Sequence, residues 1–521
     1  MRWGNACRPI ENLRIPSATL ASRRLRRLRA AATLVFLFAA TFNGGCRERG
    51  EAATGDDVEV TATIQQPRGD AQPAPASKPI PSIQRPRPSR PTRRPLSAPD
   101  IVLVTLDTTR ADYADDETMP FLCQFARSGI RYTRALAMSS ETGPSHASIL
   151  TGLQPHQHGV LRNCEPFDYP ARLPLGLFKS GYETAAFVSA VPLRKGYGFA
   201  IGFSHFDDAG DPQYRNVNLQ RGGRKTIDAA LDWLGKRQWE VPMFLWVHLF
   251  DPHAPYDPED LPREQHVRRR ELGEILSSAR PVDEETKARI RGVYRRELRQ
   301  TDGHLQRLFE AVLNRSTRGV LSCIVADHGE ELFDRGNFCE HDRSLYQGVL
   351  HVPLVLRWDA HLLPSVIERP VSIGSVGATL LELAGHDPFP NTLPPLPLDP
   401  TPPEQPPVIV ARRTASGIAT RWPVCAVVRG EHKALFYKPG RGPELYDLQE
   451  DPGEKRNLAN DRPNLLNELR TALLAIAPME ITRPEITLDA KTRNALKSLG
   501  YLGDDDGDDA PEEEEESDEG I

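Results

Sequence analysis

The chain has no cysteine framework. Of its seven cysteines, Cys7 and Cys46 fall in the leader. Cys123, Cys164, Cys323, Cys339 and Cys425 are an odd set without metal-type spacing. A scaffold stapled by disulfides is therefore excluded, although a bond or two stays open in an oxidising compartment. No repeat period is evident. The one apolar run near the N-terminus, residues 30–42, is too short to span a bilayer, which takes about 20 apolar residues. Charge excess is also missing where a fold would be. The net charge is −6, yet residues 504–519 hold twelve acidic side chains and no basic one, while residues 1–45 carry eight arginines and one glutamate. Between these ends the balance is near neutral, so nucleic-acid binding is not indicated.

Both ends read as accessory segments. Residues 1–45 combine a basic stretch (Arg23, Arg24, Arg26, Arg27, Arg29), the apolar run and a small-residue exit, the pattern of a secretory signal. The ending Asn43-Gly44-Gly45-Cys46 resembles a bacterial lipoprotein processing site, with Cys46 as the lipid-bearing residue and Asn43 as the poorest fit. Simple secretion and an uncleaved anchor are the alternatives; each places the protein in the cell envelope or outside it. Residues 46–98 are rich in Pro, Arg, Ala and Gln, cannot bury a core, and read as a disordered linker. Residues 504–521 read as an acidic disordered tail.

From Asp100 the character changes. Continuous apolar runs at 101–106, 184–191, 243–249, 320–326 and 352–356 have the signature of strands buried on both faces. Helical patterns at 119–128, 226–236, 284–313 and 376–384 lie between them, so the fold class is α/β with a mostly parallel sheet. Cys323 lies inside one such strand and reads as a small core residue. After a proline-rich stretch, strands are expected at 408–412, 424–428 and 433–437 and a helix at 462–476. The expected division is a catalytic domain over 99–387 and a smaller subdomain over 388–503.

In open α/β sheets, functional side chains collect beyond the carboxyl ends of the strands. Three polar clusters fall there: Asp107-Thr108-Thr109-Arg110, the stretch His248 to His253, and Asp327-His328-Gly329-Glu330-Glu331. The segment SETGPSHASILTG brings Thr142 to the start of a helix, with Pro144 near the first helical position. Taken alone, Thr142 reads as an ordinary cap and each acid as a turn residue. Taken together, Asp107, Asp327, His328 and the Thr142 hydroxyl make a ligand set for one divalent metal ion. A mixed oxygen and imidazole set leans towards manganese or zinc, with magnesium and calcium as the other candidates.

The stretches VLVTLDTTRADY, TGPSHASILTGLQPHQHGVLRN, FLWVHLFDPHAPY, VADHGEELFDRGNFCEHDRSLYQG with HVPLVLR, and ELYDLQEDPGEKRNLA resemble, in order and spacing, the sulfatase family of the alkaline phosphatase superfamily. The resemblance covers about residues 99–503. It implies an alkaline-phosphatase-like central sheet flanked by helices, with a smaller C-terminal α+β subdomain. By position, Asp107, Asp327 and His328 match metal ligands and Thr142 the nucleophile. His253 and His341 match groups that protonate the leaving oxygen or contact the anion, and Asn163 matches an anion contact. His146 and Arg110 are expected beside the substrate. His156 and His158 belong to a structural loop.

Two departures redirect the chemistry. Ordinary sulfatases carry Cys or Ser at position 142, converted to formylglycine; Thr142 cannot become that aldehyde because its Cβ bears a methyl. The arginine of the usual signature is replaced by His146, and Thr108 stands where many sulfatases have a second metal-binding aspartate. A set of Asp, Thr, Asp and His is similar to that of phosphoglycerol and phosphoethanolamine transferases. A threonyl sulfate has no second hydroxyl with which to expel sulfate, whereas a threonyl phosphate is open to in-line attack by water or an alcohol. The expectation is a metal-dependent hydrolase or transferase acting on an anionic ester, with a glycan or lipid headgroup as the partner. A true sulfuric ester hydrolase and a non-catalytic anionic-glycan binder are the alternatives.

Overall fold

A computed structural model describes residues 98–477, except 170–171, 211–220, 279, 337–338, 342, 404–407 and 413–422. The expected secretory leader, Cys46, the expected linker and the acidic tail lie outside the described residues.

Thirteen strands are described, in two sheets. The large sheet contains β1 (Asp100–Leu106), β2 (Ile130–Leu136), β3 (Glu183–Phe187), β4 (His205–Asp207), β5 (Met243–Leu249), β6 (Val320–Ala326), β7 (His351–Trp358), β8 (Ser365–Ile367) and β9 (Val371–Ser372). Their spatial order is β4-β3-β5-β1-β6-β7-β2-β8, with β9 also pairing β2. All pairings are parallel except those of β7, which runs antiparallel to both β6 and β2. Residues of β1, β5 and β6 are buried along their whole length, as unbroken apolar runs between two helical layers require.

Sequence patterning missed the short strands β4, β8, β9 and β13 and one long strand, β2, IRYTRAL. Its polar residues interrupt any apolar run, and its pairing with β7 slips between Tyr132 and Ala135. Pro353 of β7 lies opposite that slip. Proline has no N–H to give a ladder, so an interior proline is accommodated where the partner strand bulges.

Helices cover the sheet in two groups. Pro120–Arg127 and Gly223–Lys236 pack on the long helix Glu284–Leu313, and Thr142–Thr151, Leu173–Lys179 and Val376–Leu383 pack on one another. Asp283 caps the long helix, its Oδ1 accepting from Thr286 N at 2.7 Å. No helix among the described residues is long and apolar enough to cross a membrane.

The second sheet is antiparallel in the order β10 (Val408–Arg412), β11 (Cys425–Arg429), β12 (His432–Phe436) and β13 (Glu444–Asp447). Alternation sorts its side chains. Ile409, Ala411, Ala426, Val428 and Leu435 join the main core. Val410, Cys425, Val427, Ala434 and Phe436 form a second cluster with Leu469 and Leu473 of the helix Pro463–Ile476. The small sheet therefore shares its inner face with the large domain.

One buried ion pair reinforces that junction. Lys433 Nζ on β12 lies 2.7 Å from Glu454 Oε1, with both side chains essentially inaccessible. The other carboxylate oxygen accepts from Gln347 N at 2.7 Å. Replacing Lys433 by Met leaves that carboxylate buried with the Gln347 N–H and, as its remaining cation, the more distant Arg335, 3.4 Å away. The expected loss is about 3 kcal/mol of unfolding free energy, read from denaturant titration of the full chain.

Candidate active site

β1 is hydrogen-bonded to both β5 and β6, so the three strands deliver their ends to one place. Asp107 follows β1, His248 is one residue short of the end of β5, and Asp327 and His328 follow β6. Thr142 is the first residue of the helix Thr142–Thr151; Glu141 holds the N-cap position and Pro144 lies two residues in. An N-cap role for Thr142 is thereby ruled out. All ten residues of this helix are buried, and Gly152 ends it in the left-handed region at φ 77°. Ser145 Oγ donates to Asp327 O at 2.7 Å, fixing the helix to the end of β6. Thr142 Oγ1 lies 3.5 Å from Asp107 Oδ2.

The carboxylates and imidazoles form a cradle. His328 Nε2 is 3.5 Å from Asp327 Oδ2 and 3.8 Å from Asp107 Oδ1. Asp107 Oδ1, Asp327 Oδ2 and His328 Nε2 are buried and have no hydrogen-bond partner among the described residues. Native interiors rarely leave such atoms unpaired. His328 Nδ1–H donates to Gly329 O at 3.1 Å, which leaves the Nε2 lone pair turned to the cradle. Burial, and next the neighbouring His341, lowers the His328 pKa to about 3, so its ring is neutral and able to ligate. Asp327 is pushed well up by burial and by the facing Asp107 charge. Asp107 is held low despite burial, by the imidazoles of His248, His253 and His328 around it. Two buried carboxylates at this spacing call for a cation, and Asp107, Asp327 and His328 lie close enough to share one.

The remaining expected site residues separate into two kinds. His341 stacks on His328 at 4.5 Å between ring centroids, and His253 meets His341 edge-on at 4.9 Å. His253 Nδ1 donates to Ala254 O at 2.6 Å, and His341 Nδ1 is 3.0 Å from Glu330 Oε1. Asn163 Oδ1 accepts from Gly143 N at 2.7 Å, so the residue touches the very start of the Thr142 helix. These three border the cradle.

His146 and Arg110 do not reach for a substrate. The His146 ring is fully buried; its Nδ1–H donates to Thr142 O at 2.8 Å, and Thr105 Oγ1–H donates to its Nε2 at 2.9 Å. Burial holds its pKa well down, consistent with a neutral ring. Arg110 binds Asp112 through Nε and Nη2, at 2.9 and 2.8 Å, and Asp334 through Nη1 at 2.6 Å. Its other contacts go to Glu330 O and Asp334 Oδ1, which accounts for all five N–H donors. Both side chains, expected beside the substrate, are engaged by the scaffold through these contacts. His158 is likewise internal, its Nε2–H donating to Ser148 Oγ at 2.9 Å.

Two features escaped sequence reasoning. Glu330, inside the third polar cluster, joins His341 to Tyr256, whose hydroxyl donates to Oε2 at 3.3 Å. Thr108 adopts φ 46°, a left-handed conformation that a β-branched residue takes only under strain. Tyr294 holds that turn, donating to Thr108 O at 2.8 Å and accepting from Arg110 N at 3.1 Å. Nothing in a 3.6-residue or 2-residue period signals either contact.

A doubly covered, mostly parallel sheet, with a hydroxyl on a buried helix start facing an Asp, Asp and His cradle that could hold a metal ion, is the arrangement of an ester hydrolase. The chain belongs to the sulfatase family, whose model matches residues 99–386. Arylsulfatase K of Gallus gallus is 25% identical to it over 488 residues, 80% of this chain and 88% of the relative. A phosphonate monoester hydrolase of Agrobacterium radiobacter superposes with a TM-score of 0.58 at 21% identity, covering 73% of this chain and 95% of the other. A structure solved with its substrate D-glucosamine-2-N,6-O-disulfate gives a TM-score of 0.58 at 18% identity, over 73% of this chain and 97% of that one.

Proposed function

We propose that the protein is an exported hydrolase or transferase of phosphate esters that uses Thr142 as its nucleophile. The observation that carries this reading is the Thr142 hydroxyl, 3.5 Å from Asp107 on a fully buried helix start. Asp107, Asp327, His328 and Thr142 would hold one divalent ion, which lowers the hydroxyl pKa and offsets charge on the transferred group. Thr142 Oγ1 attacks phosphorus in line, the bond to the leaving oxygen breaks, and His341 or His253 supplies the proton to that oxygen. Water or an acceptor alcohol then takes the phosphoryl group from Thr142. Asn163 orients a non-bridging oxygen through its side-chain amide. The basic leader and the proline-rich tether support action at the envelope, with Cys46 as a lipid-bearing anchor.

Sulfate-ester hydrolysis is the second reading, favoured by the arylsulfatase relative and by the disulfated glucosamine held in a structural neighbour. Sulfated glycans are its substrate class. Purified protein assayed in parallel on a bis-aryl phosphate and an aryl sulfate separates the two. The phosphate ester is expected to win by about a hundredfold in kcat/KM, or ~2.7 kcal/mol at the transition state. Sustained preference for sulfate over many turnovers would contradict the phosphate reading.

A further inference from the structure

His248 is buried completely, and neither ring nitrogen has a hydrogen-bond partner among the described residues. A neutral imidazole carries one donor and one acceptor, and leaving both unpaired in a core costs on the order of 1–3 kcal/mol each. Something other than protein hydrogen bonding has to satisfy this ring. Its position says what. The β1–β5 register sets His248 beside Thr105, two residues before Asp107, and the ring reaches the cradle, Nε2 lying 3.4 Å from Asp107 Oδ2. A ring nitrogen of His248 also lies within 4.8 Å of an Asp327 carboxylate oxygen.

A simple His–Asp hydrogen bond does not explain the contact. At 3.4 Å it is longer than an ordinary N–H···O bond of about 2.7–3.2 Å, and the other nitrogen would still be unpaired. Ligation explains the spacing better. Donor atoms about 2.0–2.2 Å from a four- or five-coordinate ion lie roughly 2.8–3.8 Å from one another. The observed separations are 3.4 Å for His248 to Asp107, 3.5 Å for His328 to Asp327 and 3.5 Å for Thr142 to Asp107. His146 lies in the same neighbourhood, but its nitrogens are committed to Thr142 O and Thr105 Oγ1. Among the described residues grouped closely enough to share an ion, His248 and His328 keep an imidazole nitrogen without a hydrogen-bond partner.

We infer that His248 is a further ligand of the ion, so the site presents two imidazoles and takes zinc in preference to calcium. The inference rests on the metal cradle of the proposed function and not on the nature of the ester. Hard cations such as calcium are held by oxygen donors, whereas imidazole suits zinc.

X-ray absorption on the apo full-length chain loaded with one equivalent of zinc tests it. The expected spectrum fits two imidazole nitrogens per zinc. His248→Gln is expected to fit one, with zinc affinity lowered about a hundredfold or more, beyond the 10–100-fold typical of an outer-shell partner. Calcium affinity should change less than about threefold, because imidazole contributes little to calcium sites. One imidazole in the wild-type spectrum, equal zinc affinity in His248→Gln, or a chain that takes calcium and refuses zinc would each overturn the inference. The wild-type spectrum alone decides the matter should the variant fail to fold. Thr142→Ala serves as the control: it is expected to lose turnover and keep both imidazoles, which separates failure of the ligand assignment from failure of the ester chemistry.

Discussion

Thr142→Ala is expected to bring turnover on any ester substrate to background, a loss of about 10⁴-fold or more in kcat. Removing a nucleophile removes a covalent path, not one contact among many, so binding and the ion cannot compensate. The fold should survive. Thr142 contributes one small side chain to a helix otherwise held by Ser145 to Asp327 and by close packing against the helix Val376–Leu383, where the α-carbon of Gly377 faces Ile149 O so tightly that an added Cβ would sit 2.5 Å from it. Circular dichroism and denaturant unfolding should match wild type within about 1 kcal/mol. Mass spectrometry after brief exposure to a phosphate ester should find the transferred group on residues 142–163 in the wild type and nowhere in the variant. Near-full activity in Thr142→Ala would sink the mechanism.

Chelation is expected to have the next largest effect. Stripping the ion leaves Asp107 and Asp327 facing each other in a buried cradle beside His328, with one carboxylate forced to hold a proton. Turnover should fall at least about 10³-fold, and readdition of zinc or manganese should restore it. Stability should fall as well, by about 2.7 kcal/mol if the ion was present at a hundred times its dissociation constant. Denaturant titration with and without chelator reads that difference. A chelated protein that unfolds at the same midpoint and keeps its rate would contradict a functional ion at this cradle.

The parts of this fold that sequence patterning resolved share one property: their residues face the same environment along their whole length. Strands β1, β5 and β6 are buried on both faces and read as unbroken apolar runs, and the helix Glu284–Leu313 falls on the residues its pattern marked. β2 was hidden because it carries Arg131, Thr133 and Arg134 and is broken by a bulge opposite Pro353. β13, only four residues long, offers too short an alternation to read. In the site, spacing after the strands located Asp107, Asp327 and His328, since a strand end fixes position along one line. It could not say whether His146 or Arg110 would turn towards substrate or scaffold. That choice depends on partners far away in sequence, such as Thr105 for His146 and Asp334 for Arg110. His248 was visible as a letter in a cluster, but its unpaired ring became apparent only through burial.

The small C-terminal sheet has a consequence for how the gene can fail. Its inner face supplies Ile409, Ala411, Val428 and Leu435 to the same core as the catalytic strands. A premature stop after the large sheet would not yield a trimmed enzyme awaiting its accessory module. It would yield a polypeptide with part of its main apolar core laid open, recognised by quality-control proteases before any ester was met. Loss-of-function alleles should therefore be as common in the codons of β10 to β13 as in those around Thr142.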